Sequence, residues 1–242
     1  MSTTLFIADL HLCNERPQIN AAFFAFLDAH ATKADALYCL GDLFEAWVGD
    51  DDLVDTLHAE VARALHQLVN AGVAVFVMHG NRDFLLAEAF CQASGATLIA
   101  DPTVITLNGV QTLLMHGDTL CSDDVGYLAF RQQARDPAWQ RAFLDKPLTE
   151  RHTLAQALRA RSETTKADKT PEIMDVNAAA VTSALHAHGC TRLIHGHTHR
   201  PAHHIPSHGT ERWVLPAWYD GAGWLQCDAN ADCQLHLPQS SG

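Results

Sequence analysis

Apolar and polar positions along the first 120 residues follow a repeating order: a short apolar run, a polar cluster, then a longer stretch of helical period. The runs "TTLFIA", "ALYCL", "VAVFVMH" and "VQTLLMH" are rich in β-branched or aromatic side chains and predict strands. Between them, "INAAFFAFLDAH" and "LVDTLHAEVARALHQLV" predict helices. The first three runs end in "ADLH", "GDLFEAW" and "GNRD". This alternation predicts an α/β fold, a sheet covered by helices, with ligands gathering beyond the strand ends.

From Gly126 to about Lys169 the pattern changes to consecutive helices without an intervening strand. Trp139 and Phe143, like Leu154 and Leu158, stand at i, i+4 and give apolar stripes, while Pro137 and Pro147 punctuate the segment. It reads as a helical cap inserted at about 126–170 into a single domain spanning 1–242. The helix "DVNAAAVTSALHAH" follows, then short strands at "TRLIH", "HHI", "RWVL" and "GWLQC".

Composition narrows the class. With 242 residues and 48% apolar content the chain has enough material for one large core. The N-terminus has neither a basic leader nor a small-residue cleavage site, and no stretch approaches the roughly 20 apolar residues of a spanning helix, so a cytoplasmic location is expected. The seven cysteines are odd in number and lack CxxC pairing, which predicts reduced thiols and no cysteine zinc site. A net charge of -12 argues against a general nucleic-acid binder. Charge is nevertheless uneven: nine of the sixteen Lys and Arg lie between Arg131 and Lys169, a block of +4 in a chain that is otherwise -16.

The chemistry sits where the strands stop. Asp9, His11, Asp42, Asn81 and His116 follow successive apolar runs, and "LIHGHTHRPA" adds His195, His197 and His199 at i, i+2 spacing. Each alone has a plain reading, since a strand-end histidine is commonly just a satisfied polar group and Asp42 could cap a helix. Together they form a carboxylate, imidazole and amide set suited to Mn²⁺, Fe²⁺ or Zn²⁺, too large for one tetrahedral ion but enough for two that share a carboxylate.

"DLH", "GDLFE", "GNRDF", "HGD" and "GHTH" resemble, in order and spacing, the calcineurin-like metallophosphoesterases. The longer blocks "FIADLHL", "ADALYCLGDLFEAWVGDDD", "HGNRDFLL", "LLMHGDTLCSDD", "IMDVN" and "LIHGHTHRPA" are similar to the UDP-2,3-diacylglucosamine hydrolases of lipid A biosynthesis, over about residues 3 to 225. The resemblance implies a metallophosphoesterase βαβ sandwich, two sheets flanked by helices. It also implies two Mn²⁺ ions, other divalent ions being possible: Asp9, His11 and His199 on one, Asn81, His116 and His197 on the other, with Asp42 bridging. His195 is left as a supporting or packing residue.

The implied reaction is attack of an activated water on the UMP-side phosphorus of UDP-2,3-diacylglucosamine, giving UMP and 2,3-diacylglucosamine 1-phosphate. Asp42, Asn81, Arg82 and His116 are the implied catalytic residues. Arg82 stands where many metallophosphoesterases carry histidine, and arginine holds phosphate oxygens but cannot give up a proton near neutral pH. The competing reading makes Arg82 a buried ion pair with Asp83. Substrate contacts are implied at Asn81, Arg82, Asp124, Ser162, Lys166, Lys169 and His197; a solvated helix face is the ordinary fate of Ser162 and the lysines.

The cap's apolar stripes and basic residues together suggest an acyl-chain cavity and an outer face, with Arg131, Arg135 and Arg141, resting on the cytoplasmic side of the inner membrane. No protein partner is implied. A soluble nucleotide pyrophosphatase or phosphodiesterase would need no apolar cap, and a non-catalytic interaction module would normally have lost ligands.

Overall fold

Side chains alternate across the strands and sort the core into layers. The structure is a computed structural model describing residues 3–167, 173–205, 209–230 and 232–238, without the side chains of 163 and 165–167. In β1 (Thr4–Ile7), Leu5 and Ile7 face the helices α1 (Pro17–Ala29) and α2 (Thr56–Asn70), while Phe6 faces a second sheet. β2 (Ala36–Cys39) and β3 (Ala74–Met78) repeat the division: Leu37, Cys39, Val75 and Val77 go to the helices, and Met78 goes to the second sheet with Leu40, just past β2.

The first sheet continues through α3 (Glu88–Ser94) to β4 (Thr97–Ile99), and its strands β1 to β4 run parallel in that order. The second contains β5 (Thr103–Leu107), β6 (Val110–Met115), β7 (Arg192–His195), β8 (Ala202–His204) and β9 (Glu211–Val214) in the order β5-β6-β7-β9-β8. Leu114 of β6 and Ile194 of β7 meet Phe6 and Met78 between the sheets. Leu113 and Leu193 point the other way, onto Val181 and Leu185 of α7 (Ala178–Ala187). Two sheets flanked by helices result, as the resemblance implies; the apolar pattern predicted helix-covered strands but one sheet.

The first sheet is closed by β10 (Trp224–Cys227), antiparallel to β1, and β11 (Cys233–His236), antiparallel to β10. The β10–β11 register sets Cys227 opposite Cys233, and the two form a disulfide. This corrects the expectation of seven reduced thiols: the hairpin, which the sequence reading did not include, brings together two cysteines that spacing alone does not pair. Cys13, Cys39, Cys91, Cys121 and Cys190 are free.

Between β6 and β7 lie three further consecutive helices, α4 (Val125–Ala134), α5 (Pro137–Leu144) and α6 (Leu148–Ala167). Asp124 caps α4 and Asp136 caps α5, with Pro137 at its first position. Trp139 and Phe143 stack at 5.2 Å and, with Leu148 and Leu154, pack against the core under α1 and α2. The apolar stripes thus attach these helices to the sandwich. α6 is also held by Arg151, which donates to the Val48 carbonyl and to Asp51 Oδ1 at 2.8 Å, and by His152, 2.8 Å from Asp52 Oδ1.

Candidate metal centre

The loops leaving β1, β2 and β7 turn sharply. Asp9, His11, Asp42, His197 and His199 all take positive φ, between 51° and 67°, a region that side-chain-bearing residues seldom occupy and that clusters at functional sites. The loops support one another: Asp9 N–H donates to the Gly41 carbonyl (3.1 Å), His11 N–H to the Asp42 carbonyl (2.9 Å) and His197 N–H to Asp9 Oδ2 (2.8 Å). Gly80 and Gly196 make the approach possible, since a Cβ would come within 2.1 Å of Asp42 Oδ1 at the first and 2.3 Å of Asp9 Oδ2 at the second.

Two groups converge on Asp42. In the first, ligand atoms of Asp9, His11 and His199 lie within 4.8 Å of one another, with His199 Nε2 3.3 Å from Asp9 Oδ1. In the second, Asn81 Oδ1 stands 3.0 Å from His116 Nε2 and 2.9 Å from His197 Nδ1. Asp42 Oδ2 is 3.8 Å from His11 Nε2 and 3.8 Å from His116 Nε2, between the two groups. Asp9, Asp42 and His116 also meet within 4.8 Å. His116 Nδ1 is 2.9 Å from the Leu40 carbonyl, which holds a proton on Nδ1 and makes Nε2, turned toward Asn81 and Asp42, the ring nitrogen that would bind an ion.

The electrostatics fit cations. Burial, reinforced by Asp83 and Asp9 and opposed by His116, pushes Asp42 up to about 7. Burial acts against a charged His116, but Asp42, Asp9 and Asp118 outweigh it and raise the imidazole to about 9. Burial and His116 together lower His197 to about 3. Among the described residues, both ring nitrogens of His11 are buried without a hydrogen-bond partner, and Asp9 Oδ1 is buried with only the 3.3 Å approach of His199 Nε2. Such orphans cost free energy unless something else engages them, and a divalent ion suits this mixture of carboxylate, imidazole and amide donors.

His195 stands apart from both groups, buried with Nδ1 2.8 Å from the Gly196 carbonyl and Nε2 3.2 Å from Arg212. Arg82 borders the site through its N–H, which donates to Asp42 Oδ1 at 2.8 Å, and its guanidinium lies 3.8 Å from Glu45 Oε1. The Asp83 carboxylate is engaged by the N–H groups of Gly80 (2.8 Å), Asp42 (3.2 Å) and Leu43 (2.7 Å), so it fastens loops together. Asp124 accepts from Tyr127 N–H as the α4 cap, and Ser162 lies partly buried on α6. The Lys166 side chain and all of Lys169 lie outside the described residues.

Sequence reasoning missed two hubs. Glu45, inside the quoted "GDLFE", gathers Arg16 (2.9 Å), Arg159 of α6 (2.8 Å) and Arg82 around a carboxylate 3.6 Å from His11 Nδ1. Asp118, inside "HGD", is buried; its Oδ2 accepts from the Tyr127 hydroxyl and from Arg131 Nε at 2.7 Å. A conspicuous carboxylate two or three residues from a ligand was the available signal.

Arg131 and Arg135 correct an expectation. They do not face outward: Arg131 binds Asp118, and Arg135 donates to the Gly80 carbonyl at 2.8 Å with its guanidinium over Phe84. Charge counting shows that basic residues are dense here but not which way they point, and buried carboxylates at the strand ends draw them inward. Arg141 is exposed.

The calcineurin-like phosphoesterase family model matches residues 2–201, which include both groups. A UDP-2,3-diacylglucosamine hydrolase from Aromatoleum aromaticum is 50% identical over 229 residues, 93% of each chain. Another of that name, from Klebsiella pneumoniae, is 48% identical over 238 residues, 97% of this chain and 99% of the relative. The chain belongs to the UDP-2,3-diacylglucosamine hydrolase family. Among solved structures, a dimetal phosphatase from Danio rerio shares the fold of this hydrolase family member, with a TM-score of 0.53 and 12% identity over 97% of this chain and 96% of that one. Among the described residues, no helix is long and apolar enough to cross a membrane.

Proposed function

We propose that this protein hydrolyses the pyrophosphate bond of UDP-2,3-diacylglucosamine, releasing UMP and 2,3-diacylglucosamine 1-phosphate for lipid A biosynthesis. The observation that carries the reading is Asp42 Oδ2 standing midway between two donor groups, in a chain matched along nearly its whole length by hydrolases of that name. Asp9, His11, His199 and Asp42 would hold one divalent ion; Asp42, Asn81, His116 and His197 would hold the other. Two Mn²⁺ ions, when bound, would offset charge on phosphoryl oxygens and bring the acidity of water near neutrality.

The remaining work falls to the chain. Arg82, held beside Asp42 by its own N–H, presents a permanently charged fork that can grip a phosphoryl oxygen without exchanging a proton. Glu45 steadies that fork. Because attack at the UMP-side phosphorus expels a sugar phosphate, a stable anion, the reaction needs no strong acid at the position where Arg82 replaces histidine.

Helices α4 to α6 form the cap over the acyl chains, with Asp124, Ser162, Lys166 and Lys169 as substrate contacts. Val125, Phe130 and Leu144 expose apolar surface on this segment, and with Arg141 they support peripheral attachment to the cytoplasmic face of the inner membrane. The test compares UDP-2,3-diacylglucosamine with UDP-N-acetylglucosamine at equal Mn²⁺. UMP released from the acylated substrate alone supports the reading; equal release from both identifies a general nucleotide pyrophosphatase.

A further inference from the structure

Tyr219, in the "PAWYDGAGW" stretch, is placed against the first donor group by its neighbour. Trp218 is buried, with its ring 5.5 Å from Phe26 and 6.3 Å from Phe23 and its indole N–H donating to the Gly223 carbonyl at 2.8 Å. Its backbone N–H donates to the carbonyl of Asp9 at 3.1 Å. This anchors the next residue beside the ligands. The Tyr219 hydroxyl lies 3.0 Å from His199 Nδ1, and its ring lies 6.1 Å from His11 and nearly parallel to it, at 9°. The Arg16 guanidinium stands 5.8 Å from the ring centroid. Tyr219 is 52% exposed, so its ring adds little to the core and its placement points to the hydroxyl.

A histidine binds a metal through whichever ring nitrogen lacks the proton, and a partner at the other nitrogen chooses which. His199 Nε2 is the atom turned toward Asp9 Oδ1, so Nδ1 must hold the proton for this group to take an ion. We propose that Tyr219 is a positioning residue: its hydroxyl oxygen accepts a hydrogen bond from His199 Nδ1–H, which keeps the proton on Nδ1, fixes the ring and so sets the affinity of the Asp9, His11 and His199 site for its ion.

The inference rests on the two-ion reading, and Mn²⁺ titration of the metal-free full-length protein tests both. Wild type should bind two ions. Tyr219→Phe, which keeps the ring, should bind one as tightly as wild type and the other at least about tenfold more weakly. In a His199→Ala background, Tyr219→Phe should add no further loss, because the two act as one unit. The metal-free variant should unfold at the wild-type temperature. Unchanged affinity for both ions, equal weakening of both, or a lowered metal-free unfolding temperature would each overturn the positioning role while leaving two ions in wild type. A wild-type protein that takes up fewer than two ions would overturn the two-ion reading and this inference with it.

Discussion

Asp42 Oδ2 lies 3.8 Å from His116 Nε2, and Asp42 reaches that position from a left-handed turn directly after β2. The same oxygen is equally far from His11 Nε2, so one carboxylate faces both donor groups. Asp42→Ala is therefore expected to lose both ions and nearly all turnover, whereas His195→Gln should retain both ions. Elemental analysis of the purified variants decides the matter; two tightly bound ions in Asp42→Ala would remove the bridging role.

Arg82 is expected to act through its planar fork. Arg82→Lys keeps the charge but not two-pronged bonding, and kcat should fall about 100-fold or more without rescue by added metal. Turnover at the wild-type level would assign Arg82 to its pairing with Glu45 instead.

The positions of these residues were legible because each follows a short apolar run, rich in β-branched or aromatic side chains and ended by a polar cluster, that reads as a strand. Asp9, Asp42, Asn81, His116 and His197 were all found this way. β4 and β5 were not legible: Thr97–Ile99 is three residues long, and β5 buries only Leu107 in its alternation. Nor were Glu45 and Asp118 assigned work, because a carboxylate acquires three arginines or a tyrosine only through folding. Arg131 shows the same limit, since its direction depends on a buried Asp118 thirteen residues away.

That contact gives a stability prediction. Arg131 is 22% exposed and its partner Asp118 fully buried. Arg131→Gln leaves the carboxylate with Tyr127 as its main remaining support and should cost about 2–3 kcal/mol, less than for a wholly buried pair. Denaturant unfolding measures the loss. Arg141→Gln, on the exposed face, should leave stability unchanged and weaken binding to anionic vesicles; the opposite assignment of effects would restore Arg131 to the outer surface.

The metal-free protein should lose stability as pH rises. His116 titrates near 9 when folded, above its ordinary 6.5, so its proton favours the folded state below about 6.5 and that contribution disappears as pH climbs through 9. Asp42, raised to about 7, acts in the same direction between about 4 and 7. His197, lowered to about 3, opposes this only up to about pH 6.5. Between pH 6.5 and 9 the unfolding temperature should therefore fall, and saturating Mn²⁺, which replaces the protons with cations, should abolish the slope. A flat metal-free profile over that range would show that Asp42 and His116 do not share the charge balance described.

The most direct measurement follows the oxygen. Mn²⁺-loaded protein is incubated with UDP-2,3-diacylglucosamine in ¹⁸O-water and both products are weighed by mass spectrometry. One ¹⁸O in UMP and none in 2,3-diacylglucosamine 1-phosphate is the predicted result; label in the sugar phosphate, or substrate left intact, would contradict it.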